Sequence, residues 1–122
     1  MAHQDPQLLK GVLPLLLLRL LDRREDYGYS VVVRLRDLGF DGLNEGTVYP
    51  ALTRMEKRGF LTSRLVRSSS GPARKYYRLS ATGRDELAQA TGAWQHLTAN
   101  VDRALRDDEP TEQTLTELEP VT

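Results

Sequence analysis

Cysteine is absent from the 122 residues, which excludes disulfides and thiolate metal sites and fits a reducing cytoplasm. Histidine occurs twice, at His3 near the terminus and at His96 far along the chain, too few for a metal-sensing cluster. No glycine-rich loop of the phosphate-cradling kind is present, and no carboxylate stands in a constellation with a partner base. An enzyme is therefore not expected, nor any cofactor or metal. Long apolar runs are missing too. The longest, residues 12–18, contains Pro14 and stops at Arg19, whereas a bilayer span needs roughly 20 apolar residues. No basic leader precedes that run and no small-residue cleavage site follows it, so neither a membrane partner nor secretion is expected, and a cytoplasmic location is.

What is present is unevenly distributed. Net charge is zero, with 17 cations and 17 anions. Up to Ser80 there are 14 Lys and Arg against 8 Asp and Glu; after it there are 3 against 9. A basic body and an acidic end suit a polyanion partner for the first, with ordinary solvated surface as the bland alternative.

Asp5-Pro6 suits a helix start, an acceptor side chain followed by a residue that needs no amide hydrogen. Residues 8–21 are too rich in leucine for one face, which predicts a helix buried on more than one side. Pro14 removes the bond to the carbonyl of Lys10, so this helix is expected either to begin near Gly11 or to bend. Residues 22–27 read as a charged turn. Val31, Val32, Leu35 and Leu38 recur at helical spacing and Gly39 stops them. Asn44 reads as the N-cap of a third helix with Val48, Ala51, Leu52 and Met55 inward and Gly59 at its end. Two short strands, 61–67 and 75–79, are joined by a loop over 68–72. Ser80 then caps a long helix whose apolar positions, Leu87, Ala90, Trp94, Leu97, Val101 and Ala104, alternate by three and four as a short heptad seam. The acidic, Thr-rich remainder reads as a disordered tail.

That order, three helices, strand, basic hairpin, strand, helix, predicts a mainly α (α+β) fold: a winged helix-turn-helix with a long C-terminal dimerisation helix. The expected divisions are 1–80 for DNA binding, 81–105 for dimerisation and 106–122 for the tail. In such a fold the second helix of the helix-turn-helix enters the major groove and the hairpin lies along the backbone or in a minor groove. The helix opened by Asn44 offers free amides to phosphate, short polar Thr47 and Thr53 for base edges or phosphates, Tyr49 for a phosphate, and Arg54, Lys57 and Arg58 for charge. The hairpin offers Arg67, Arg74, Lys75 and Arg78. Tyr77 and Leu79 share the inward side of their strand, while Tyr76 alternates to the other.

Gly28-Tyr29, then Gly46-Thr47-Val48-Tyr49-Pro50-Ala51-Leu52, then Met55-Glu56 with Gly59, resemble the signature of PadR-like transcriptional regulators. The wing, Gly71-Pro72-Ala73-Arg74-Lys75-Tyr76-Tyr77-Arg78-Leu79 followed by Ser80 and Gly83, is similar to that family's as well. The resemblance runs from about residue 8 to residue 105 and fits the family's short branch. It implies a homodimer built from the first and last helices, with Leu15, Leu18, Leu87, Ala90, Trp94, Leu97 and Val101 at the interface. It also implies a pseudo-palindromic operator in double-stranded DNA, a repressor's role, and Pro50 and Tyr76 among the DNA-side residues. Trp94 resembles the tryptophan with which drug-responsive short members line an interfacial pore. Stacking of a small aromatic effector there is one implication, and a large side chain simply filling the seam is the other. A winged helix used as a protein-binding adaptor, with the acidic tail as docking segment, is the competing functional class.

Overall fold

The computed structural model describes residues 4–106, so His3 and all but the first residue of the expected tail lie outside it. The elements run α1 (Pro6–Arg23), β1 (Asp26–Tyr27), α2 (Gly28–Asp37), α3 (Glu45–Lys57), β2 (Leu61–Ser68), β3 (Gly71–Leu79) and α4 (Ala81–Leu105). Asp5 caps α1 by accepting from the Gln7 amide at 2.8 Å. The helix starts at Pro6, not near Gly11, and runs through Pro14 to Arg23. Lys10 and Pro14 are both exposed, so water can reach the carbonyl that the proline leaves without a donor. Gly46 and Pro50 repeat this arrangement on α3, again on its outward face.

Helices α2 and α3 stop by the same device. Gly39 (φ 100°) and Gly59 (φ 84°) take the left-handed conformation just past each helix. The Phe40 amide then donates to the Leu35 carbonyl at 2.9 Å, and the Phe60 amide to that of Met55 at 3.0 Å. Each is the longer bond of a Schellman motif. Asn44 stands at the start of α3 as expected, but its side chain makes no capping bond. Its carbonyl accepts the Thr47 and Val48 amides instead.

Two elements differ from the sequence expectation. The stretch read as a turn over 22–27 contains the last helical residues of α1 and the two-residue strand β1. The five-residue loop over 68–72 shrinks to a turn at Ser69 and Ser70, because Gly71 and Pro72 already belong to β3. The sheet is antiparallel in the order β1-β3-β2, with Asp26 opposite Tyr77 and Leu61 opposite Leu79. A register shift between Val66 and Ser68 sets the single residue Arg67 opposite both Pro72 and Ala73, so the extra residue of a bulge near the wing tip lies on β3.

The chain divides into two compact units, Met1–Ala90 and Thr91–Thr122. In the first, six leucines of α1 meet Val31, Val32 and Leu35 of α2, the apolar stripe of α3, and Leu61, Tyr77 and Leu79 of the sheet. Leu18, expected at a dimer interface, is 2% exposed and belongs to this core. Burial already achieved within one chain leaves it no area to give a partner. Leu87 packs partly against the same core. Asp26 is a buried polar residue of that core and is fully engaged: it accepts from Ser30 Oγ at 2.8 Å and from Arg34 Nη1 at 3.0 Å, while Arg34 Nη2 donates to the Leu20 carbonyl. This knot ties the end of α1, β1 and α2 together with no buried side-chain polar atom orphaned among the described residues.

Candidate nucleic-acid interface

Helix α3 buries Val48, Ala51, Leu52 and Met55, which obliges Gly46, Tyr49, Pro50, Thr53, Arg54 and Lys57 to face outward. Beside its outward face lies the wing. Between them is a cleft of about 500 Å³ lined by Tyr27, Tyr29, Tyr49, Thr53, Arg74 and Lys75. Four of the expected DNA-side residues, Tyr49, Thr53, Arg74 and Lys75, therefore converge on one concavity. Thr47, Pro50 and Arg54 line a second depression with Lys10 and Gly46, on the α1 side of α3. Lys57 and Arg67 are exposed but line neither, and Tyr76 lies half-buried on the opposite face of the sheet from Tyr77.

The side chains of the cleft are held in place by their neighbours. The Tyr49 ring lies against the backbone at the start of α2, where a Cβ on Gly28 would come within 2.6 Å of its Cε1. Burial, then the Glu45 carboxylate, pushes its phenol up, which keeps the hydroxyl a proton donor. Thr53 Oγ1 donates back to the Tyr49 carbonyl at 3.2 Å, leaving its lone pairs to accept. The Arg74 guanidinium sits 4.5 Å above the Tyr27 ring, a cation–π contact that orients it, and Tyr27 in turn packs on Tyr76 with centroids 5.2 Å apart.

Pairing sorts the cations. Lys75 Nζ donates to Glu56 Oε1 at 2.9 Å and lies over the Tyr77 ring. That bond holds the ammonium's pKa above its ordinary value. Arg64 is engaged by Glu25 through both carboxylate oxygens. Of the cations on α3 and the hairpin, Arg54, Lys57, Arg58, Arg67, Arg74 and Arg78 form no ion pair among the described residues, whereas Arg64 and Lys75 do. Sequence reasoning missed Glu56, Tyr27 and the contact of Gly28 with Tyr49. Gly28 stood in a recognisable motif, but its close approach to a residue 21 positions away has no local signal. No group of three or more metal-ligating side chains exists among the described residues, and none of their helices is long and apolar enough to cross a membrane.

Residues 17–89 match the transcriptional regulator PadR-like family. Among solved structures, a PadR-like transcriptional regulator from Bacillus cereus is similar at 36% identity and TM-score 0.73, over 81% of this chain and 96% of its own. A Streptococcus transcriptional regulator matches at 37% identity and TM-score 0.71, over 80% and 96%. A PadR family regulator from Eggerthella lenta matches at 34% and 0.75, over 81% and 86%.

Proposed function

Since this chain belongs to the transcriptional regulator PadR-like family, whose members bind DNA, we propose that it is a homodimeric repressor of a nearby promoter. The observation that carries this reading is the cleft between α3 and the wing, where Tyr49 and Arg74 are held facing outward. Helix α3 enters the major groove with Thr47, Pro50, Thr53, Arg54 and Lys57. Tyr49 and the wing residues Arg67 and Arg74 hold the flanking phosphates, with Lys75 and Tyr76 supporting them from the hairpin.

The dimer forms through α4. Trp94, Leu97 and Val101 recur on one stripe of that helix and are 44%, 54% and 45% exposed in the single chain. An apolar stripe at heptad spacing calls for a second copy. Leu87 and Ala90 continue it toward the core, and Leu15 of α1 is partly exposed. On this reading residues 1–80 bind DNA, 81–105 dimerise and the protein works in the cytoplasm. Trp94 offers a flat apolar face on which a small aromatic effector stacks to relieve repression.

A shift assay on the chain's own upstream promoter DNA, at low and high salt against scrambled competitor, tests the reading. Specific retardation that weakens steeply with salt is expected, as are several-fold losses in Tyr49→Ala and Arg74→Ala dimers. No specific shift from folded dimer would favour the adaptor role, a protein contact with the acidic end as docking segment.

A further inference from the structure

Glu56 is a partly buried acidic side chain at the junction between the outward face of α3 and the wing, where a carboxylate is out of place. Beside a phosphate-binding surface a negative charge repels the ligand, and this one also occupies Lys75. Its geometry supplies the reason. Glu56 accepts from Ser63 Oγ on β2 and from Lys75 Nζ on β3 at 2.9 Å. One carboxylate of the recognition helix therefore holds both strands of the wing. We propose that Glu56 is a positioning residue that locks the wing at a fixed angle to α3, and that DNA binding gains more from this lock than it loses to the charge. The proposal rests on the DNA-binding reading above.

The lever arm shows why such a lock matters. The hairpin is joined to α3 covalently only through the Gly59–Phe60 turn, and Ser63 lies opposite Tyr77 near its base. From that pair to Ser69 at the tip is six residues, about 20 Å at the usual rise of a strand. A tilt of about 10° at the base would carry the tip, with Arg67 and Arg74 near it, some 3–4 Å from its phosphates, beyond hydrogen-bond reach. The two acceptor bonds to Glu56 resist that tilt from two directions. Both partners belong to the face of the sheet that looks toward α3: Ser63 is paired with buried Tyr77, and Lys75 precedes Tyr77 by two along β3. The bonds to Ser63 first, then to Lys75, hold the Glu56 carboxyl below the usual carboxylate range, so it stays an acceptor throughout neutral pH.

Charge and positioning predict opposite signs, which makes the test decisive. If Glu56 merely repelled DNA, Glu56→Ala would free Lys75 for one more phosphate, tighten binding and steepen the salt slope by about 0.9. On the present proposal Glu56→Ala weakens binding to upstream promoter DNA five- to tenfold. Glu56→Gln, which keeps the acceptor oxygen and loses the charge, recovers most of it. Ser63→Ala, which changes no charge, weakens it in the same direction. In the free protein, amide hydrogen exchange over residues 64–76 speeds up in both alanine variants while α1 keeps its protection. Unchanged wing exchange in both variants, or tighter binding by Glu56→Ala, would overturn the proposal. Failure of the unaltered protein to shift promoter DNA would instead remove the DNA-binding reading, and the exchange measurement would still decide whether Glu56 holds the wing.

Discussion

Gly28 and Gly83 show how the same added methyl can act on function at one position and on stability at another. At Gly28 the new Cβ meets Tyr49 Cε1 at 2.6 Å, the far part of a side chain that can swing outward. At Gly83 it meets the Phe60 carbonyl oxygen at 2.1 Å and Leu79 Cδ1 at 2.7 Å, and backbone cannot step aside. That carbonyl is fixed by the Ser80 amide at 3.0 Å, while Ser80 Oγ bridges the Gly59 carbonyl and the Gly83 amide. Gly28→Ala is therefore expected to change unfolding free energy by less than about 1 kcal/mol yet weaken DNA binding, because Tyr49 is displaced. Gly83→Ala should cost more than about 2 kcal/mol. Denaturant titration alongside a shift assay checks both, and equal destabilisation by the two would sink the argument. These contacts were not legible in the sequence. Gly28 and Tyr49, or Glu56 and Lys75, are brought together only by the packing of α2 and the wing around α3. What could be read was the outward set on α3, since helical period and an apolar stripe leave the remaining faces no other choice.

Whole elements were legible where their ends carry a chemical stop. Gly39 and Gly59 marked the ends of α2 and α3, and Asp5 and Ser80 marked the starts of α1 and α4, each through a bond the structure makes. Strand β1 was hidden because two residues cannot show a period, and its pairing depends wholly on β3. Gly71-Pro72 reads as turn chemistry, yet the wing carries it as the first residues of a strand, next to a bulge where regular pairing is already relaxed. Helix α4 was legible by its heptad spacing, and its exposed Trp94, Leu97 and Val101 are what a dimer seam looks like in one chain. Leu97→Asp is expected to yield monomers by light scattering, since pairing would bury a carboxylate with no partner. Its melting temperature should become independent of protein concentration. A dimer of ordinary mass from this variant would place the interface elsewhere.

At the scale of the whole molecule, a net charge of zero conceals a protein made for a polyanion. Six carboxylates, at positions 107, 108, 109, 112, 117 and 119, follow Arg106 with no cation among them. Ending the chain at Arg106 therefore changes the formal charge from 0 to +6. If those carboxylates act through net charge, they lower the potential that draws phosphate to the wing and α3 without touching either. The truncated protein should then bind DNA of any sequence more tightly at low salt, and the gain should fade as the screening length shrinks from about 30 Å at 0.01 M to about 10 Å at 0.1 M. Preference for promoter DNA over scrambled competitor should meanwhile fall, because the added attraction carries no sequence information. The melting temperature should hold, as the core of the first unit is complete without those residues. A gain that persists undiminished at high salt would point to a direct contact between the acidic end and the DNA-binding face. A large fall in melting temperature would show that the end packs on the body.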